Sequence, residues 1–345
     1  MKRYLLYALT LPFILITSCL IVTSCVTEEQ HDNTPQGNFE ALWKIIDEHY
    51  CFLDYNNKEY GLDWNNIHTE YAKRITPNMN SKQLFDVLAD MMNELRDGHV
   101  NLYSKDRVSQ YRAWFDDYPR NFDDSIQSIY LGKDYEMVSG LKYCILPQNI
   151  GYIYCGSFQN VAGESTLDLI LDYMAICNGI IIDVRNNGGG NLTMADKLAA
   201  RFTNEKITTG YMTYKTGPGH NSFSTPQAIT LDPPMDRVRW QKNAVVLTNR
   251  RSFSATNDFV NKMKQLPKVT IIGDKTGGGS GLPFSSEIPN GWSIRFSASP
   301  IYGPNMEELE FGIEPDIKVN ISSEDYNRGI DTIIEAAIAF LNKNQ

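Results

Sequence analysis

Apolar residues in the first third of the chain recur at helical spacing. Three helices are predicted by the sets Phe39, Leu42, Trp43, Ile46 and Tyr50; Trp64, Ile67 and Tyr71; and Leu84, Leu88, Met91 and Leu95. Ser81 is the expected N-cap of the third helix. We therefore predict a small helical domain over residues 39–100, whose aromatic and aliphatic stripes form its core.

From residue 151 onward, short β-branched runs alternate with helical segments. Strands are predicted at 151–155, 180–184, 244–248, 269–272 and 292–297, and helices at 167–176, 194–202, 255–263 and 326–341. Such alternation predicts a layered α/β core over residues 151–345. Residues 203–241, rich in Thr, Pro and Gly, are expected to cross its surface, and residues 101–150 lack clear periodicity and are expected to form an irregular connector.

The amino terminus has a basic start, an apolar stretch and small residues before a cysteine, which is typical of a bacterial lipoprotein signal. Both Cys19 and Cys25 follow a Thr-Ser pair. We favour Cys25 as the lipidated residue, after a signal peptide of residues 1–24, because apolar residues still follow Cys19; an uncleaved membrane anchor is the alternative. Residues 25–38 are expected to be a flexible tether. The expected location is the bacterial cell envelope, periplasmic or outer-membrane, with a lipid anchor as the sole membrane contact.

Composition narrows the function classes. The chain is 42% hydrophobic and 21% charged, as in ordinary globular proteins, and its net charge is −9. Loss of residues 1–24 removes Lys2 and Arg3 and no acid, giving −11, so nucleic acid is not expected as a partner. The remaining cysteines show no CxxC spacing and no Cys/His cluster, so neither a zinc site nor a disulfide framework is expected. The sequence implies no metal or organic cofactor. Cys155 and Cys177 lie in apolar runs and are predicted to be core residues.

The segment GIIIDVRNNGGGN, residues 179–191, is the first candidate for chemistry. Its β-branched run predicts a strand buried on both faces, followed by three glycines. Glycines here can adopt positive φ and let backbone N–H groups point into a cleft, so we expect Gly188 and Gly189 to bind developing negative charge. Asp183 and Arg185 are expected to brace this loop. The alternative is a tight strand-to-helix turn.

The second candidate is NAVVLTNRRSFSATNDF, residues 243–259, which predicts a buried strand, a short turn and a helix start. A serine at such a junction is exposed at the carboxyl edge of the sheet, and the N–H groups of the following helix can stabilise negative charge. Ser252 and Ser254 both qualify as nucleophile. Either could instead only cap the helix.

A serine nucleophile needs a base, and the histidines on loops are the candidates. His99 follows the helix that ends near Leu95, in LRDGHVNL, and His220 in KTGPGHNSF is the second choice. The acidic segment near the end of the core, LEFGIEPD, could supply a carboxylate that orients the histidine. Its candidates are Glu308, just upstream, Glu310 and Glu314.

Five blocks in this order resemble the tricorn and C-terminal-processing serine peptidases: LRDGHVNL, IIIDVRNNGGGN, VLTNRRSFSATNDF, VTIIGDKTGGG and FGIEPDI. The resemblance implies a ClpP/crotonase-like layered α/β core with a small N-terminal helical domain, and it places the nucleophile at Ser254. The lysine of the processing branch falls on Gly279, and Lys275 does not match, so the chain is more similar to the tricorn-like branch. That branch implies His99 as base and, within a few residues of register, Glu310 as the supporting acid. The stretch between residues 100 and 151 is too short for the PDZ domain of many relatives.

The sequence therefore predicts a serine-type endopeptidase acting on polypeptides. His99 would take the proton of Ser254, Glu310 would hold the imidazolium, and the N–H groups of Gly188, Gly189 and Ala255 would form the oxyanion hole. The alternative is a catalytically inactive lipoprotein of the same fold that binds a peptide or an apolar ligand; an acyl-CoA enzyme of the crotonase type is a weaker option. A Ser254–His99 separation beyond about 10 Å would favour the binding protein or His220. Substrate preference and oligomeric state stay open.

Overall fold

The computed structural model describes residues 31–343, so the predicted signal peptide and Cys25 lie outside the described residues. Helix α1 (Pro35–His49) begins four residues before the predicted start at residue 39, within the stretch predicted to be a tether. The reason is local: the Thr34 side chain accepts a hydrogen bond from the Gly37 N–H, and Pro35 occupies the first helical turn, where proline is favoured.

The helical domain continues with α2 (Leu53–Tyr60), α3 (Trp64–Ala72) and α4 (Ser81–Asn93). α2 was not predicted. The N-cap of α4 is Asn80 rather than Ser81, because the Asn80 and Gln83 side chains form a reciprocal capping box. Apolar residues from these helices form one core, as predicted from their spacing.

The central sheet has seven strands. In chain order they are β3 (Glu136–Val138), β4 (Leu141–Leu146), β5 (Ile150–Cys155), β6 (Gly179–Asp183), β9 (Ala244–Thr248), β10 (Val269–Gly273) and β13 (Ile317–Lys318), with a short 3₁₀ turn at Pro147–Asn149. Their order across the sheet is β13-β10-β9-β6-β5-β4-β3, parallel from β13 to β5 and antiparallel at β4 and β3. The centre of the sheet is therefore β6 and β9, as their continuous apolar sequences predict.

Helices cover both faces of this sheet. One core forms against α7 (Glu164–Tyr173), α8 (Leu192–Ala200) and α9 (Ala255–Lys264), and a second, on the other face, against α6 (Asp124–Leu131) and α11 (Thr332–Lys343). Side chains of β6 enter both cores, with Ile180 and Ile182 on one face and Ile181 on the other. This confirms the predicted α/β layered core.

A second, antiparallel sheet connects the central sheet to the helical domain. It contains β1 (Asn101–Tyr103), β2 (Val108–Gln110), β7 (Ile207–Met212), β8 (Gln227–Leu231), β11 (Gly281–Glu287) and β12 (Ser293–Tyr302). Its order is β2-β1-β12-β7-β8, and β11 also pairs with β12. The long strand β12 thus connects the element after the helical domain to the surface hairpin β7–β8.

Two expectations on secondary structure are wrong, those for residues 101–150 and for the closing helix, and the expected surface excursion has structure that was not predicted. Residues 101–150 are not an irregular connector, since they contribute strands to both sheets and the helices α5 (Ala113–Asp116) and α6. The excursion at 203–241 contains the paired strands β7 and β8. The closing helix is two helices, α10 (Ser323–Asn327) and α11, separated around Gly329, whose φ is +72°.

The four cysteines of the described residues are buried and unpaired: Cys51, Cys144, Cys155 and Cys177. Cys155 and Cys177 are fully buried in the larger core of the central sheet, as predicted. Within residues 31–343, no helix combines the length and apolarity needed to cross a bilayer.

Candidate active site

Ser254 lies at the turn between β9 and α9, where the sequence predicts a nucleophile. It is the N-cap residue of α9, with φ +61° and ψ −122°, a backbone conformation that residues other than glycine rarely adopt. Its N–H donates to the Gly278 carbonyl at 2.9 Å, which holds this turn in place. Its side chain makes no capping hydrogen bond, so the hydroxyl is available at the carboxyl edge of the sheet.

Ser252, the other serine candidate, has a structural role. Its hydroxyl is fully buried, donates to the Val184 carbonyl at 2.9 Å and accepts from the Asn249 N–H at 3.1 Å. The contact with Val184 ties the turn after β9 to the end of β6, and the contact with Asn249 closes the turn itself. Ser252 is therefore committed to the fold, and Ser254 is the serine that faces the cleft.

His99 reaches Ser254 from the loop after α4. Its Nε2 lies 2.9 Å from the Ser254 Oγ, well inside the range expected of a base and its nucleophile. The ring packs against Phe253, with 4.8 Å between ring centroids, and Phe253 in turn stacks on Trp114 at 4.3 Å. The predicted Ser254–His99 pairing is thus present, although the two residues are 155 positions apart in sequence.

Burial sets the protonation state of this imidazole. His99 is 2% exposed, and burial lowers its pKa to about 4, with the charge of Arg295 acting in the same direction. The Asp97 carboxylate and the Gly281 backbone oppose this shift and raise the pKa. Among the described residues, Nδ1 has no hydrogen-bond partner of regular geometry. A neutral imidazole at physiological pH can accept the proton of Ser254.

Asp97 is a site residue that the sequence interpretation missed. One carboxylate oxygen accepts the backbone N–H of His99 at 2.6 Å, and the other accepts the Ser297 hydroxyl of β12 at 2.7 Å. The available signal was the spacing, because an Asp side chain commonly accepts from the N–H two residues further on. Asp97 thus fixes the backbone that carries His99, and its negative charge raises the pKa of the imidazole.

Glu310 lies beside the site, but it does not make the predicted contact with the imidazole. Its carboxylate is 3% exposed and accepts from the Ser280 N–H at 2.8 Å and the Ser280 hydroxyl at 3.4 Å. Burial and the nearby Asp97 charge raise the pKa of Glu310, and the Gly281 backbone also interacts with it. The Glu310 carboxyl group therefore binds the Ser280–Gly281 backbone instead of the imidazole, and the Gly281 backbone interacts with both Glu310 and His99.

The close packing of the glycine loop explains why a glycine is needed at 189. Gly189 has φ +96°, and a Cβ there would lie 2.7 Å from the Phe253 carbonyl oxygen and 2.9 Å from both the Ala255 nitrogen and the Ser254 Cβ. A side chain at this position would displace the nucleophile turn. Gly188, by contrast, has open space at its Cβ position and lines the cleft.

The predicted oxyanion donors are only partly available. The N–H of Gly189 donates to the Asn187 side chain at 2.9 Å and is therefore engaged. The N–H groups of Gly188 and Ala255 make no hydrogen bond within residues 31–343. These two are the free donors beside Ser254, and the function of Gly189 is to permit the close approach of the two loops.

Buried charges brace the loop after β6, as predicted. The Arg185 guanidinium is fully buried and pairs with Asp183 at 2.6 Å and with Asp331 at 2.9 Å. The Tyr152 hydroxyl donates to Asp183 at 2.8 Å. These contacts fix the end of β6, the strand from which the glycine loop starts.

The structure excludes a lysine at position 279. Gly279 has φ +77°, and a Cβ there would lie 2.5 Å from the Phe253 ring. Lys275 instead pairs with Glu314 at 3.3 Å. The lysine that the processing branch would place at position 279 is therefore not accommodated by this backbone.

Two cavities meet at Ser254. The larger, of about 690 Å³, contains His99, the glycine loop and a wall formed by β1, β2 and Trp114. The smaller, of about 110 Å³, lies behind the nucleophile and is bordered largely by apolar side chains: Leu192, Leu282, Ile301 and Leu309. Ser254, Gly190 and Arg295 border both.

The other candidates lie elsewhere. His220 pairs with Asp47 at 2.8 Å, on the hairpin between β7 and β8, and borders neither cavity. Burial raises the pKa of Glu308 to about 7, but this residue also lies outside both cavities. Within residues 31–343, no group of three His, Cys, Asp or Glu side chains could hold a metal ion.

Comparison with known proteins identifies the family to which this chain is similar. Residues 149–319 match the profile of peptidase family S41, and residues 31–93 match that of the tricorn protease C1 domain. A solved structure of a candidate peptidase from Parabacteroides merdae is 51% identical, with a TM-score of 0.86, over 90% of this chain and 97% of that one.

Curated relatives indicate the same family at lower sequence identity. The tricorn protease of Thermoplasma volcanium is 25% identical over 71% of this chain and 20% of its own length. A probable CtpA-like serine protease of Staphylococcus haemolyticus is 27% identical over 50% of this chain and 33% of its own length. The chain thus spans a third or less of these two relatives. By its near full-length similarity to the Parabacteroides structure and the profile match, the chain belongs to peptidase family S41, a family of serine-type peptidases.

Proposed function

We propose that this protein hydrolyses peptide bonds by acyl transfer to Ser254. The observation that carries the proposal is the 2.9 Å contact between Ser254 Oγ and His99 Nε2 at the junction of the two cavities. In the first half-reaction, His99 takes the hydroxyl proton while Oγ attacks the substrate carbonyl carbon. The imidazolium then protonates the leaving amine, and the peptide C–N bond breaks to leave an acyl-enzyme. Water, deprotonated by His99, releases the acid and restores the Ser254 hydroxyl.

Charge develops on the carbonyl oxygen in both half-reactions, and the free N–H groups of Gly188 and Ala255 are the proposed donors to it. Such donors are effective because they are fixed before the reaction starts. The N–H of Ala255 also lies at the start of α9, where the helix dipole favours negative charge.

Two acids are proposed to support His99, Asp97 directly and Glu310 through the backbone between them. Asp97 holds the backbone of His99 and offsets the positive charge of the imidazolium. Glu310 is proposed as a positioning residue: it holds the Ser280–Gly281 backbone, and Gly281 interacts with the imidazole. The predicted Ser-His-Glu arrangement thus becomes a Ser-His pair in which Glu310 acts through backbone.

The test compares two serines 2 residues apart in sequence. Ser254→Ala should abolish hydrolysis of a peptide library, whereas Ser252→Ala removes a buried structural hydroxyl and should lower stability while leaving measurable hydrolysis. Circular dichroism checks that both variants are folded. Hydrolysis that survives in folded Ser254→Ala would refute the proposal, and would favour the alternative of a binding protein that copurifies with a protease.

We also propose that Cys25 carries a lipid anchor that holds the protein in the bacterial cell envelope. The support is the signal pattern before Cys25 and the polar residues after it. Metabolic labelling with a palmitate analogue in a bacterial host should label the wild type and Cys19→Ser, but not Cys25→Ser. Labelling of Cys25→Ser with loss in Cys19→Ser would move the anchor to Cys19.

A further inference from the structure

Arg295 borders both cavities and has no role in the mechanism above. It lies on β12, directly between Asn101 of β1 and Ser285 of β11, so two neighbouring strands fix its backbone. Together with Ser254 and Gly190, it lies where the larger cavity meets the smaller one. Arg295 therefore shares with Ser254 the boundary between the two cavities, where it can meet a substrate residue near the scissile bond.

The guanidinium of Arg295 is half-buried and has no counter-ion. It makes no hydrogen bond, ion pair or ring contact with any residue of the described part of the chain. Arg251, the other arginine of the larger cavity, is different: it lies 3.6 Å from Asp116 and over the Phe115 ring at 4.1 Å. A partly buried cation without a partner is costly to keep, unless a ligand supplies the opposite charge.

Carboxylate is the group that a free guanidinium binds best, because its planar fork matches the two oxygens. The protein as a whole is acidic, with a net charge of −9, so an unpaired positive group in the cleft is a local exception. It is also unfavourable for the base, since its charge lowers the pKa of His99. Binding of a carboxylate would neutralise that charge.

We propose that Arg295 binds an acidic side chain of the substrate, within two residues of the scissile bond, and so selects polypeptides with Asp or Glu near the cleavage site. This inference rests on the proposed peptidase function. The larger cavity, of about 690 Å³, has room for several substrate residues beside Ser254, and Arg295 is part of its wall.

The experiment uses internally quenched peptides with both ends blocked, in pairs that carry Glu or Gln at one of the four positions around the scissile bond. We expect kcat/KM of the wild type to be about 10- to 100-fold higher for Glu than for Gln at one position, the range for a hydrogen bond to a charged group. In Arg295→Gln the ratio should fall to about 1, and in Arg295→Lys it should be intermediate. Arg251→Gln, in the same cavity, should keep the ratio of the wild type.

Three results would overturn the inference. The first is a wild type that cleaves the peptides without preferring Glu at any position. The second is a preference that survives in Arg295→Gln; equal slowing of both peptides in this variant would show that Arg295 acts only on His99. The third comes from one added peptide pair that differs only in a free or an amidated carboxyl end: a preference for the free end that Arg295→Gln abolishes would assign the carboxylate to the chain terminus. Failure of the wild type to cleave any peptide would refute the proposed function itself, and this inference with it.

Discussion

Replacement of Gly189 by alanine tests whether close contact between the glycine loop and the nucleophile turn controls catalysis. The substitution adds one methyl group at φ +96°, 2.7 Å from the Phe253 carbonyl oxygen and 2.9 Å from the Ala255 nitrogen. The backbone conformation alone costs about 1–2 kcal/mol for a residue with a Cβ. The overlap adds a cost of about 1–3 kcal/mol, unless the turn that carries Ser254 moves away.

Because the contacts are with backbone, relief of the overlap must displace Ser254 or the Ala255 donor. We therefore expect Gly189→Ala to lower kcat by about 100-fold or more, the effect of losing one oxyanion donor. Gly61→Ala is the matched control: Gly61 has φ +75°, but nothing lies within 4 Å of its Cβ position. It should lose about 1–2 kcal/mol of stability and keep its kcat.

The assay measures kcat on a fluorogenic peptide and stability by urea unfolding for both variants. The reasoning is refuted if Gly189→Ala is folded and keeps kcat within threefold of the wild type, or if Gly61→Ala loses as much activity as Gly189→Ala. Equal losses would mean that global destabilisation, rather than the local overlap, determines the rate.

Three further predictions concern charge. Since burial lowers the pKa of His99 to about 4, kcat/KM should be retained as pH falls through the ordinary histidine range and be lost only near pH 4; an acid limb near 6.5 would contradict the buried imidazole. Burial raises the pKa of Glu310, so the folded state holds this proton more tightly than the unfolded state, and stability should fall as pH rises above about 4.5. Glu310→Gln should remove that loss, and a variant with the pH–stability curve of the wild type would contradict it. Arg185→Gln leaves the buried Asp183 and Asp331 carboxylates unpaired and should cost about 3–5 kcal/mol in urea unfolding, whereas a loss below 1 kcal/mol would refute the bracing role.

Local pattern predicted four of the seven strands of the central sheet, β5, β6, β9 and β10, because these strands are strongly apolar; it missed β3, β4 and β13. The run at Gly179–Asp183 and the whole of Ala244–Thr248 are buried, as their sequences indicate. Within residues 101–150, β1, β2 and β3 were missed because each is three residues long, and β1 is stabilised by pairing with β12, nearly 200 residues away. Such pairing has no local signature. The six-residue strand β4 was missed as well.

In the site, too, some features were predicted from the sequence and others were not. Ser254 and His99 were predicted from turn chemistry and from the resemblance, and their contact is present. The roles of Gly189 and Glu310 were not predicted correctly, because each role depends on which neighbouring group forms a hydrogen bond with that residue. The Asn187 amide occupies the Gly189 N–H, and Ser280 occupies the Glu310 carboxylate. The positions of motifs along the sequence identify residues near a site, but they do not determine which of these residues form hydrogen bonds with each other.

The central claim is that Ser254 is a nucleophile activated by His99. Reaction with a fluorophosphonate, followed by peptide mapping with mass spectrometry, tests it directly. The account predicts a single adduct on Ser254 of the wild type, strongly slowed labelling in His99→Ala, and no adduct in Ser254→Ala. An adduct on Ser252, or labelling of the wild type and His99→Ala at equal rates, would contradict it.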